Sequence, residues 1–189
     1  MTYDILVFIG RFSPFHDAHL AIIEHACTIA SEVVVIIGST NNERTLKNPF
    51  TGDERENMIL RALSDEQKDK VIIEQNYDTP EDDEAWVFRT KELVGLKKIK
   101  CMKIGLIGHE KDVSSAYLKW FPEWDFIDVD AFPMLHATDI RNIFFTENFD
   151  PMDFANNVPI STFEFILSFS QTPEYTKLLQ QQQSKNILT

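Results

Sequence analysis

Cysteine is nearly absent from the 189 residues: Cys27 and Cys101 stand alone, in apolar surroundings and far apart in the chain. That excludes a disulfide framework and a Cys-rich metal knuckle, and reads as two reduced, buried thiols of a cytoplasmic protein. No run of 18 or more apolar residues occurs, so no membrane-spanning helix is expected. The opening MTYDILVFIGRF has no basic region, long apolar stretch and small-residue cleavage site in succession, so it is not a secretory signal. Positive charge is scarce too, with 18 Lys and Arg against 30 Asp and Glu for a formal net charge of −12. A duplex nucleic-acid binder needs a basic face for its phosphates, so no nucleic-acid partner is expected. A small anionic ligand remains compatible, because local charge and backbone N–H groups suffice to hold one.

What is present is a globular core. Hydrophobic residues make up 43% of the chain, 15 of them Phe. A single domain of this length buries about 70% of its unfolded surface without staples. Tyr3–Ile9, Glu32–Gly38, Lys70–Glu74, Met102–Gly108 and Asp125–Val129 read as strands, the first two almost continuously apolar as in a sheet buried on both faces. His19–Ser31, Thr51–Ser64, Asp83–Val94 and Ala137–Phe145 carry helical spacing or start signals. Strands and helices alternating at βαβ spacing predict an α/β fold: a Rossmann-like, doubly wound parallel sheet of about five strands with helices on both faces. The Phe-rich stretch from Asn142 to Thr176 has no Lys or Arg and predicts a C-terminal helical layer. Residues 1–170 are read as the domain, and 171–189, rich in Gln, as a helix or polar tail. In such sheets ligands lie beyond the carboxyl ends of the strands, so the loops after Ile9, Ile37 and Ile107 are the ones to inspect.

The loop after the first strand reads Gly10-Arg11-Phe12-Ser13-Pro14-Phe15-His16-Asp17-Ala18-His19. Gly10 permits close approach of backbone to ligand, and Pro14 restricts the turn. His16 and His19, three apart at a helix start, can turn both rings toward one point at the positive end of the helix. With Arg11 added, the loop suits a polyphosphate. A pair of metal ligands is the weaker alternative, with no cysteine alongside. Near the other end, His136-Ala137-Thr138-Asp139-Ile140-Arg141 places a hydroxyl at a helix N-terminus and a guanidinium one turn later.

The first of these blocks resembles the GRFxPFHxxH signature of the HxGH-type nucleotidyltransferase superfamily, and the second its ISSTxIR motif, with His136 and Ala137 in place of two serines. It is not the GxGxxG dinucleotide fingerprint, nor a Walker A loop. Arg44, Lys47, Pro49-Phe50-Thr51 and Glu54-Arg55 resemble a stretch of the archaeal-type nicotinamide-nucleotide adenylyltransferases. Gly108-His109-Glu110-Lys111-Asp112-Val113-Ser114-Ser115 and Phe121-Pro122 resemble the adenylyltransferase half of bacterial proteins that also carry a Nudix hydrolase domain. The likeness spans residues 3–170, and no Nudix domain is expected within these 189 residues.

The resemblance implies adenylyl transfer from ATP to nicotinamide mononucleotide (NMN), giving NAD and pyrophosphate, in NAD biosynthesis. It implies His16, His19, Arg11 and Arg141 as catalytic residues. Gly10, Arg11, Phe12, His16, His19, Gly108, Lys111, Thr138 and Arg141 are implied for ATP. Trp86, Asp83, Asp112 and Arg44 are implied for NMN, the indole of Trp86 stacking on the pyridinium in a cation–π contact. Mg²⁺ is implied as carried by ATP. Other readings are the same chemistry on nicotinate mononucleotide or another phosphate acceptor, and a non-catalytic nucleotide-sensing module. The partners expected are the small substrates, with no membrane and with a homo-oligomer left open.

Overall fold

The computed structural model describes residues 2–95, 102–109, 119–129 and 136–187. Five strands, β1 (Tyr3–Gly10), β2 (Ala30–Ile37), β3 (Val71–Gln75), β4 (Ile104–Gly108) and β5 (Asp125–Asp128), run parallel in the order β3-β2-β1-β4-β5. That order is the Rossmann-like arrangement the alternation of elements predicts, with the switch point between β1 and β4. Side chains alternate across each strand. Ile5, Val7 and Ile9 share one face with Val34, Ile36, Ile104 and Leu106, and Phe121 and Trp124 join that cluster. Leu6, Phe8, Val33, Val35 and Ile37, which point the other way, are buried as well, so both faces of the sheet are covered.

Between the strands lie α1 (Asp17–Ile29), α2 (Gly52–Ala62), α3 (Asp65–Lys68) and α4 (Asp83–Leu93). Trp86, Val87 and Leu93 of α4 pack on the first face of the sheet. Gly95 follows the cap of α4 at φ +86°, and its N–H donates to Glu92 O at 2.9 Å; a left-handed residue is needed there, and glycine adopts it without strain. After the sheet come α5 (Ala137–Phe144), α6 (Ile160–Phe169) and α7 (Pro173–Ile187). Among the described residues no helix is long and apolar enough to cross a membrane.

The chain forms two compact units. One holds the sheet with Ala21–Asn41 and the region from Leu63 through β5. The other holds Phe12–Leu20, Asn42–Ala62 and the helices from α5 onward. Aromatic contacts dominate the second unit. Phe50 meets Phe165 and Phe169 edge-on at 5.5 and 5.1 Å, and Tyr175 lies 4.8 Å from Phe144 and 5.7 Å from Phe145. The Tyr175 hydroxyl donates to Phe144 O at 2.9 Å, and burial raises its pKa. The Gln-rich end is therefore a helix whose first turns, through the buried Tyr175 and Leu178, are packed.

Several boundaries differ from the sequence expectation. α1 begins at Asp17 rather than His19, because His16 O already accepts the N–H groups of His19 and Leu20. β2 takes in Ala30 and Ser31, which helical spacing had placed in α1. Ser64 ends no helix; it caps α3, its hydroxyl accepting from Gln67 N while Gln67 Oε1 accepts from Ser64 N. Cys27 is buried, and burial raises its thiol pKa, as suits an inert core group. Cys101 lies outside the described residues.

Leu106 is 1% exposed on the central sheet, whereas Ile72 on the edge strand β3 is 41% exposed. Leu106→Ala should lower stability by about 2–4 kcal/mol through lost burial and the cavity left behind. Ile72→Ala should cost under ~1 kcal/mol. The urea midpoints of the two variants, at unchanged denaturant slope, check the contrast.

Candidate active site

The strand-one loop turns on a residue whose backbone conformation sequence inspection does not flag. Phe12 adopts φ +50° yet is 1% exposed, a left-handed conformation that costs a non-glycine residue about 1 kcal/mol or more. Aromatic packing compensates: its ring stands edge-on to His19 at 4.9 Å and 6.1 Å from Phe15. Phe15 in turn stacks on His19 at 5.7 Å. The Ser13–Pro14 peptide is cis.

Within this aromatic nest the two histidines lie ring on ring, with centroids 3.5 Å apart and planes inclined by 21°. His16 is buried and His19 half-buried. The backbone N–H of His16 donates to Nδ1 of His19 at 3.3 Å. An accepting Nδ1 places the proton of the neutral ring on Nε2. The pair stands at the start of α1, the positive end of that helix's dipole.

α5 supplies the second half of this unit's chemistry. His136, whose role the sequence left open, is its N-cap residue, and its N–H donates to the Asp139 carboxylate at 2.9 Å. Thr138 is exposed in the first turn. Arg141 is buried; one terminal nitrogen donates to Ser13 O at 2.6 Å and the other to Thr138 Oγ1 at 3.1 Å. Two motifs 128 residues apart are thus joined through a loop carbonyl. Sequence reasoning gave Arg141 to catalysis and to ATP; the structure shows its guanidinium holding the loop that bears the histidines.

Arg44 stands in a third place. Its guanidinium forms a two-point pair with Glu54, 2.7 Å on each side, donates to Pro49 O at 2.6 Å, and lies 5.3 Å from the Phe169 ring centroid. Glu54 also accepts from Thr51 N at 2.8 Å, closing the start of α2. Burial alone would push the Glu54 carboxyl up, but the hydrogen bonds from Arg44 and Thr51 and the guanidinium charge hold it below the ordinary range. The same hydrogen bond from Arg44 to Glu54 raises the pKa of Arg44. The sequence assigned Arg44 to NMN; in the structure its guanidinium is already engaged in holding residues 44–54 together.

The sheet-bearing unit carries the remaining residues. Gly10 and Gly108 end β1 and β4 at the carboxyl edge, where Gly10 O accepts from Gly38 N and Gly108 O from Val129 N, each at 2.9 Å. Arg11 is exposed. Asp83 is exposed at the start of α4, which Asp82 caps by accepting from Ala85 N at 2.8 Å. Trp86 is half-buried, edge-on to Trp120 at 5.9 Å and 6.2 Å from Phe121. Sequence reasoning missed Asn76 and Thr90, both fully buried and hydrogen-bonded to each other at 2.9 Å. No local motif marks them, since only the packing of α4 brings them together. Lys111 and Asp112 lie outside the described residues.

A family model described as cytidylyltransferase-like matches residues 7–143. The chain belongs to this cytidylyltransferase-like family. The match runs from β1 through the histidine loop to α5, so it takes in both the His16–His19 and the Thr138–Arg141 segments. A nicotinamide/nicotinic acid mononucleotide adenylyltransferase of Acinetobacter baylyi is 37% identical to this cytidylyltransferase-like chain over 190 residues, 98% of each chain. A nicotinamide-nucleotide adenylyltransferase of Thermococcus sibiricus is 46% identical over 59 residues, 31% of this chain and 32% of that one. Among solved structures, a bifunctional NMN adenylyltransferase/ADP ribose pyrophosphatase of Francisella tularensis, complexed with AMP and a Mn ion, superposes with a TM-score of 0.81 at 32% identity. That superposition covers 96% of this chain and 53% of the other, so the chain spans about half the length of the bifunctional protein.

The Glu54 carboxyl gives a pH test. Its folded pKa lies below its unfolded one, so its pairing stabilises the fold above the ordinary carboxylate pKa of about 4.3 and stops doing so as pH falls through the folded value. The stability gap between wild type and Glu54→Gln should be fully present at pH 6 and shrink steadily through the acid range below pKa ~4.3. Urea midpoints measured for both proteins across that range check it; a gap that widens toward acid would refute the pairing.

Proposed function

We propose that this protein transfers the adenylyl group of ATP to NMN, forming NAD and releasing pyrophosphate. The observation that carries the reading is the stacked His16–His19 pair at the start of α1, its loop clamped by Arg141, in a chain matched end to end by a mononucleotide adenylyltransferase. An oxygen of the NMN 5′-phosphate attacks the α-phosphorus. The new P–O–P bond forms as the bond to the β-phosphate breaks, and pyrophosphate leaves with the electron pair. A phosphate monoester is already an anionic nucleophile near neutral pH, so the protein's task is alignment and charge neutralisation.

In this reading His19 donates from Nε2 to the transferring phosphoryl, with His16 stacked behind it. Arg11 and Arg141 are assigned to the triphosphate, supported by the Thr138 hydroxyl at the start of α5. Gly10, Phe12, Gly108 and Lys111 are assigned to ATP from the sequence. Trp86 takes the pyridinium face, and Asp83 and Asp112 are assigned to the acceptor from the sequence. Arg44 is proposed to act indirectly, by holding residues 44–54 in place through Glu54. Mg²⁺ prefers oxygen ligands to imidazole or guanidinium nitrogen, so we assign it to the triphosphate itself, where it would neutralise phosphate charge. Nicotinate mononucleotide is the second acceptor to consider, because the A. baylyi relative is named for both forms. We place the reaction in the cytoplasm, where reduced cysteines persist.

Mass-resolved product formation from ATP and Mg²⁺ with NMN or nicotinate mononucleotide in parallel tests the reading. NAD from NMN is expected, and silence with both acceptors would overturn it. His19→Ala should lower kcat by about 10²–10⁴-fold with the fold intact, the range for a lost phosphoryl-stabilising donor. Wild-type turnover in that variant would end the assignment of His19.

A further inference from the structure

We propose that Asn76 and Thr90 are positioning residues for Trp86, and through it set the affinity for the nicotinamide end of the acceptor. The inference rests on the NMN reading above and deepens it. Asn76 follows β3 at the carboxyl edge of the sheet and is fully buried. Its backbone is held at both ends: its N–H donates to Ile37 O at 2.8 Å, and its carbonyl accepts from the N–H and hydroxyl of Thr40 at 3.2 and 3.0 Å. The next loop residues are tied in the same way, with Asn41 Nδ2 donating to Asp78 O and Asp78 N to Asn41 Oδ1, at 3.0 and 2.9 Å. Asn76 is therefore a rigid post on the sheet edge.

From that post the side chain reaches α4. Asn76 Nδ2 donates to Thr90 Oγ1 at 2.9 Å, and the Thr90 hydroxyl donates to the carbonyl of Trp86, also at 2.9 Å. Asn76 Nδ2 itself lies 3.5 Å from that carbonyl. The turn of α4 that carries the indole is thus indexed to the sheet by polar bonds, where apolar packing alone would let it slide or rotate. Asn76 Oδ1 is buried without a hydrogen-bond partner among the described residues. An apolar side chain of similar size would avoid that desolvation cost, so stability alone does not account for an amide at this position. A stacking surface must hold its plane to within a few tenths of an ångström and some degrees, and a short chain of directional bonds provides that.

Thr90→Val removes the hydroxyl and keeps the shape. It should raise KM for NMN about five- to tenfold, the value of one buried hydrogen bond, while kcat and KM for ATP stay within about twofold. Thr90→Ser should restore wild-type values. In a Trp86→Ala background, Thr90→Val should add no further loss, since the group it positions is gone. Thr90→Ala serves as the second probe if the valine variant fails to fold, and Asn76→Leu should behave as Thr90→Val does. Equal losses for ATP and NMN, an undiminished loss in the Trp86→Ala background, or no change in KM for NMN would each overturn the proposal while leaving wild-type NAD formation in place. A wild-type protein that makes no dinucleotide from NMN would instead overturn the reaction reading, and this inference with it.

Discussion

A buried guanidinium needs acceptors, and in this protein that requirement organises the chemistry. Arg141 satisfies it with Ser13 O and Thr138 Oγ1. A charged group withdrawn from water is expensive unless such bonds are made, so the contact is strongly specified. By taking the Ser13 carbonyl, Arg141 fixes the residue that follows the left-handed Phe12 and precedes the two histidines. The aromatic nest of Phe12, Phe15 and His19 then holds His16 and His19 ring on ring. Loss of the anchor would release the loop at its centre, so one side chain has both a structural duty and, in the proposed reaction, an electrostatic one.

The acidic character of the chain is no obstacle to anionic substrates. Net charge sets the distant field, whereas a phosphate responds to donors within a few ångströms. Each of the two motifs assigned to phosphate in the proposed reaction stands at the first turn of a helix, where the dipole is positive. Two carboxylates of the same unit have local tasks: Asp139 accepts the N–H of His136 at the start of α5, and Glu54 pairs with Arg44.

Aromatic residues do in the second unit what β-branched residues do in the sheet. Phe50, Phe144, Phe165, Phe169 and Tyr175 make a continuous set of ring contacts. Through them α5, which carries Thr138 and Arg141, is packed against α6 and α7. The hydroxyl of Tyr175 on the carbonyl of Phe144 adds direction to that packing. The C-terminal helices thereby brace the element that clamps the histidine loop.

Much was legible from residue order. The parallel sheet followed from short apolar strands separated by helices, and the position of the loops from the rule that ligands gather at carboxyl ends. The histidine pair and the Thr138–Arg141 turn were visible because local spacing on a helix start places their side chains. Other features depended on contacts between distant segments. The pairing of Arg44 with Glu54 is set by how residues 44–49 fold back onto α2. The capping duty of His136 rests on where α5 begins. Asn76 and Thr90 carry no motif, and only the packing of α4 on the sheet gives them a common task. Short-range periodicity determined which segments are strands and helices and which loops bear charge. Tertiary structure alone decided which polar groups are buried together, because burial is a property of the assembled chain and sets what each buried group must bond to.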